Sequence, residues 1–206
     1  MYLKIVKYDD IKHLIEEGDV LLFRGTGFFS RAVGRLGEGV HSHVAIASWH
    51  NNHLECVEFK EWKGGRVVSL ELQVEQNPSR IDVYRVLTPQ PAMIFDKQNR
   101  TILYDTKELD LLSVTRCMRK MTGLPYGWKR ICCIARHKIP ILRGFYNVKK
   151  STEDESSTLI YPVCSTAVAS CFSQHGFDLV KNRSDQWTEP ADLARSSLLQ
   201  YLFTLE

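Results

Sequence analysis

The sequence predicts an α+β fold in which a small antiparallel β-sheet packs against helices. Three observations predict it. Apolar runs of strand length, separated by turn dipeptides, lie in one block between residues 44 and 86. Helical patterns come before and after that block rather than between its strands. A doubly wound parallel sheet would alternate the two.

The elements follow in order. Residues 9–17 (DDIKHLIEE) have helix character, with Asp9 or Asp10 as cap and Gly18 as the stop. Asp19-Val-Leu-Leu-Phe-Arg is a short strand that enters a glycine-rich turn. Residues 27–36 (GFFSRAVGRL) space Phe28, Phe29, Val33 and Leu36 as a short helix, broken by Gly37 and Gly39. The apolar run at 44–49 has the length of a buried strand. Asn51-Asn52 then turns the chain into a second strand at 54–62. Gly64-Gly65 makes another turn before a strand at 66–72, and 81–86 is a further strand. Together these read as a meander. Pro89 and Pro91 end it.

Residues 106–122 form an amphipathic helix, with Leu109, Leu112, Cys117 or Met118, and Met121 on one face. A second helical stretch lies near 127–137. Residues 149–158 (KKSTEDESST) read as a polar surface loop. A helix runs from Cys164 to about Gln174, stopped at His175-Gly176, and PADLAR at 190–195 starts a last helix with proline in its first turn.

Composition narrows the function classes. The chain has 206 residues, 44% hydrophobic and 25% charged, which suits a packed core. A net charge of +3 does not mark a nucleic-acid protein. The basic residues Lys129, Arg130, Arg136, His137, Lys138 and Arg143 are interrupted by apolar ones and read as a solvated face. The N-terminus lacks the apolar core and cleavage site of a signal peptide. No run approaches the roughly 20 apolar residues of a membrane span. The expectation is a soluble, cytoplasmic protein, with another export route left open. A reducing compartment would keep the six cysteines unpaired. The spacings of His41, His43, His50, His53 and Cys56 match no standard zinc site, so no metal is expected.

One cysteine stands apart. Cys164 follows Pro162-Val163 and opens a helix. There the helix dipole and unpaired backbone N–H groups favour a thiolate and can hold an oxyanion. Taken alone, a free cysteine reads more readily as a small buried hydrophobe. Cys171 and Cys117 fall inside helices and Cys56 inside a strand. A cysteine nucleophile needs a base, and the base needs an acceptor to orient it. His43 starts an apolar strand after a glycine-rich loop, while His41 lies on the loop itself. On the next strand, alternation places Glu55 and Glu61 on one face and Glu58 on the other. A buried carboxylate needs a partner, and His43 can be that partner for Glu58. Glu58 is therefore preferred, with Glu55 the alternative.

These residues carry a resemblance. Gly18-Asp-Val-Leu-Leu-Phe-Arg-Gly, then His41-Ser-His-Val-Ala-Ile-Ala, then Cys56-Val-Glu-Phe, Ile81-Asp-Val-Tyr-Arg, Gly123-Leu-Pro-Tyr-Gly and Val163-Cys-Ser-Thr-Ala-Val occur in that order. The order resembles that of the permuted NlpC-type papain-like cysteine peptidases and amidases. The YiiX-like group is the nearest, and lecithin:retinol acyltransferase is a more distant relative. The resemblance spans residues 18–195 and implies one permuted papain-like domain over 1–206. It implies Cys164 as nucleophile, His43 as general base and acid, Glu58 as the residue orienting the imidazole, and Tyr126 lining the cleft. Gly18-Asp19 would be structural. The histidine precedes the cysteine, as permutation requires. Residues 127–161 depart from the pattern as an insertion, a lid or partner surface.

The expected activity is a thiol hydrolase cleaving an amide or ester, with no cofactor. The expected partner is a peptide, amide or acyl-lipid substrate, and not nucleic acid. An acyltransferase or lipid acyl hydrolase on the same residues, and a catalytically silent binding module, are the alternatives.

Overall fold

A computed structural model describes residues 4–25, 39–76, 80–87, 92–95, 102–105, 109–129, 161–181 and 183–206. The predicted helix at 27–36 and the loop at 149–158 lie outside the described residues. So does the predicted helix near 127–137, except for its first residues.

The chain opens with a two-residue strand, β1 (Ile5–Val6), then α1 (Tyr8–Ile11) and a 3₁₀ turn over Lys12–Leu14. The single helix expected over 9–17 is thus two short pieces, with Asp9 and Asp10 in the first turn rather than at the cap. Strands β2 (Val20–Phe23), β3 (His43–His50), β4 (His53–Lys60) and β5 (Gly64–Ser69) follow. Residues 70–72, expected to extend β5, instead begin α2 (Leu70–Gln76). The reason is local: Ser69 Oγ accepts from the Leu72 N–H at 3.4 Å, as a helix cap does.

Strand β6 (Ile81–Val86) is followed by a separate hairpin, β7 (Ala92–Phe95) and β8 (Ile102–Asp105). Helix α3 (Leu111–Lys120) is shorter than the predicted 106–122. It starts where the Asp110 side chain accepts from the Ser113 N–H. Helix α4 (Cys164–Gln174), α5 (Pro190–Ala194) and β9 (Leu199–Leu205) complete the chain. Helix α4 ends at Gly176, whose φ of 91° is open to glycine.

The sheet has seven strands in the order β1-β9-β6-β2-β3-β4-β5. It is antiparallel except where β1 runs parallel to β9. The sheet is therefore larger than expected, and mixed. Strand β9, absent from the sequence reading, inserts between β1 and β6 and causes both differences.

Side chains alternate along the central strands, and both faces are covered. Val20, Leu22, Val44, Ile46, Val57 and Phe59 pack with Val114 and Met118 of α3 and Val168 and Phe172 of α4. Leu21, Ala45, Ala47, Cys56 and Val83 pack with Tyr8, Ile11, Ile15 and Leu70 on the other side. This explains why residues 44–47 are continuously apolar rather than alternating: both neighbours of each residue are buried. No helix among the described residues is long and apolar enough to cross a membrane.

A disulfide joins Cys117 of α3 to Cys171 of α4. The sequence reading kept these two thiols apart as packing residues. The structure corrects that, because packing α3 against α4 brings their Cα atoms to 5.7 Å, within bridging range.

Candidate active site

The site forms where the start of β3 meets the start of α4. His43 is the first residue of β3, last in register against β2, opposite Phe23. The rings of Phe23 and His43 are 5.2 Å apart. Strand β4 returns alongside, with Glu58 paired to Ala45. Alternation then puts Glu58 and His43 on one face, one diagonal step apart. Glu58 Oε2 lies 2.5 Å from His43 Nε2, and both side chains are buried.

The next strand supplies a third member. The turn over Glu61, Trp62 and Lys63 sets Arg66 directly across from Glu58, with Gly64 and Gly65 already in β5. Arg66 donates to Glu58 Oε1 from Nε at 2.8 Å and from a terminal nitrogen at 2.5 Å. Each carboxylate oxygen thus has its own cationic partner, which a charge at 0% exposure requires. Sequence reasoning missed Arg66. The register was misplaced in the sequence: the turn expected at Gly64-Gly65 lies over residues 61–63, and both glycines belong to β5.

Electrostatics follow the geometry. Burial disfavours the Glu58 charge, but His43, Arg66 and Lys60 more than offset it, and the pKa is held down at about 2. Burial likewise disfavours a charged imidazole. Glu58 and the Cys164 sulfur outweigh it, and the His43 pKa is pushed up to about 10. His43 Nδ1 is buried and has no aligned hydrogen-bond partner. Among the described residues no other buried side-chain nitrogen or oxygen is in that position. The group bearing on the ring besides Glu58 is the Cys164 thiol.

Cys164 is the first residue of α4, unpaired with any other cysteine and buried. Its neighbours on the helix are occupied elsewhere. Ser165 Oγ donates to the Thr188 carbonyl at 2.6 Å, and Thr166 Oγ1 accepts from the Val163 N–H at 3.0 Å. Both bonds fasten the first turn of α4, whose leading N–H groups have no acceptor within the helix. Tyr126 is buried beside Cys164 as well. Burial first, then the sulfur and Glu61, raise its pKa, so the hydroxyl stays protonated and is a donor.

The other candidates fall elsewhere. Glu55 lies on the opposite face of β4, ion-paired with Arg119 of α3, and does not reach His43. His41 bonds Asp82 of β6 at 2.7 Å, where Arg24 and Thr204 also hold that carboxylate. Asp19 is buried and takes two bonds from Arg85 at 2.8 Å, a structural tie beside Gly18. His50 and His53 face each other across the β3–β4 turn. Burial lifts the Cys56 thiol well above its ordinary range, which makes it inert. Cys132 and Cys133 lie outside the described residues.

No family model matches the sequence. No curated protein matches it either. A solved structure does: the metalloprotein YiiX of Escherichia coli O157:H7, with a TM-score of 0.59 over 91% of this chain and 96% of that one. The fold is similar to that of YiiX. Identity is 11%, so the likeness with YiiX is one of fold alone.

Proposed function

We propose that this chain is a thiol hydrolase of the permuted papain-like type, cleaving an amide or ester through an acyl-enzyme on Cys164. The observation that carries the reading is His43 Nδ1, a buried nitrogen without an aligned partner beside a free thiol at a helix start.

In this reading Glu58 and Arg66 fix the ring, and the imidazolium favours ionisation of the neighbouring thiol. Cys164 Sγ attacks the carbonyl carbon. The oxyanion takes hydrogen bonds from N–H groups at the start of α4 and from the Tyr126 hydroxyl. His43 gives its proton to the leaving amine or alkoxide as the carbonyl bond to it breaks. Water then attacks the thioester and gives a proton back to His43, and Sγ departs, freeing the acid. Arg66 is a positioning residue, acting through Glu58.

YiiX is described as a metalloprotein. The donor set here does not fit a metal at this site. Both Glu58 oxygens and His43 Nε2 are engaged with protein partners. Among the described residues no three or more His, Cys, Asp or Glu gather into a metal-binding group. No step is routed through one.

Trapping tests the reading. Protein treated with p-nitrophenyl acetate and quenched in acid should carry one acetyl group on the Cys164 peptide, absent in Cys164→Ala and slow to form in His43→Ala. Acetylation spread over several residues, or unchanged in His43→Ala, contradicts it.

A further inference from the structure

A line of aromatic rings leads from Cys164 to the surface. Tyr126 lies beside the sulfur. Its ring centroid is 5.2 Å from Trp128, and Trp128 is 4.4 Å from Trp62. Trp62 occupies the β4–β5 turn and is 86% exposed, the most exposed of the large apolar side chains described. Its φ of 65° lies in the left-handed region, which a bulky side chain avoids. An ordinary surface turn gains nothing from tryptophan in that conformation; asparagine or glycine adopts it with less strain.

The rings are held by backbone, not by chance contact. A Cβ on Gly64 would sit 2.2 Å from the Leu124 carbonyl oxygen, so only glycine lets the Trp62 turn lie against the segment leading to Tyr126. Gly65 N–H donates to Leu124 at 2.9 Å, and Gly123 N–H to Gly65 at 2.8 Å. On the other side, Gly127 N–H donates to the Pro162 carbonyl at 3.0 Å, tying the Tyr126-Trp128 segment to the start of α4. The segments that carry the rings also expose Leu124, Pro125 and Tyr161, apolar surface suited to an apolar occupant, with Lys63 and Lys129 the exposed charged residues next to Trp62 and Trp128 in the chain.

We propose that Trp62 and Trp128 form an acyl-chain subsite opening onto Cys164, so that the substrate carries an apolar chain on its scissile carbonyl. The proposal rests on the reading of Cys164 as nucleophile. The subsite explains both the exposure and the backbone conformation of Trp62: the ring is placed to be covered by substrate.

Calorimetric titration of the Cys164→Ala protein with octanoyl-glycinamide and acetyl-glycinamide tests it. The octanoyl compound should bind at least about tenfold tighter. Trp62→Ala in the same background should remove most of that advantage, and Trp62→Phe should keep most of it. Equal affinity for the two compounds, or an advantage that Trp62→Ala leaves intact, overturns the subsite. The variant lacks the Cys164 thiol, so this titration reads the subsite alone. Failure of the nucleophile reading appears separately, as p-nitrophenyl ester hydrolysis that survives Cys164→Ala.

Discussion

At the scale of the residue, the account turns on how Glu58 is used. One oxygen holds His43 and the other holds Arg66. Glu58→Gln keeps the shape but removes the charge that favours the imidazolium. We expect kcat/KM on an activated ester to fall by roughly 10²- to 10⁴-fold, as when an orienting carboxylate is lost elsewhere. Arg66→Gln should cost less, on the order of tenfold, and should shift the pH profile, with Arg66→Lys restoring part of the loss. A profile that keeps its shape in Arg66→Gln would make Arg66 merely structural. Stability carries the same signature. The His43 pKa is raised, so its contribution is fully present below about 6.5 and is lost as pH rises through about 10. The Glu58 pKa is lowered, so its contribution is present above 4.5 and is lost as pH falls toward about 2. The Tm gap between wild type and Glu58→Gln should therefore be widest between pH 4.5 and 6.5 and should narrow steadily toward pH 10. The choice of Glu58 over Glu55 was legible in sequence because strand parity is local. The Asp82 partner of His41 was not, since it needs β6 to lie next to β2.

At the scale of the element, α4 depends on what it is fastened to. Its N-terminus is tied to the Tyr126 segment through Gly127, and its middle to α3 through the Cys117–Cys171 bridge. The bridge spans 54 residues of sequence. Loop-closure entropy then puts its contribution at about 4 kcal/mol. Thermal unfolding with and without dithiothreitol should show a Tm lower by about 5–15 °C in the reduced protein, and the Cys117→Ala, Cys171→Ala pair should match it without reductant. No change on reduction would remove the bridge from the account. Sequence located β3, β4, β6 and α4 closely, because long apolar runs, turn dipeptides and a glycine stop are strong local signals. It missed α2, where a single Ser69 cap ends a strand within an otherwise strand-like run. It missed β9 because that strand gains its stability from β6, far away in the chain.

At the scale of the whole molecule, the sheet is buried on both faces, and its strand ends are where polar chemistry can meet a helix start. That architecture, similar to YiiX, brings Cys164 to the β3–β4 hairpin that carries His43 and Glu58, two distant parts of the chain. It also explains why fold class was readable and strand count was not: patterns of apolar residues report burial, while the order of strands depends on pairings between segments up to the full chain length apart. The central claim is that His43 activates Cys164. The measurement that tests it most directly is the rate of Cys164 alkylation by iodoacetamide as a function of pH, read peptide by peptide by mass spectrometry in wild type and His43→Ala. The account predicts that Cys164 reacts rapidly below pH 7 while Cys56 stays inert, and that His43→Ala abolishes this fast reaction. Alkylation of Cys164 that follows an ordinary thiol's pH dependence, or that is unchanged in His43→Ala, would contradict it.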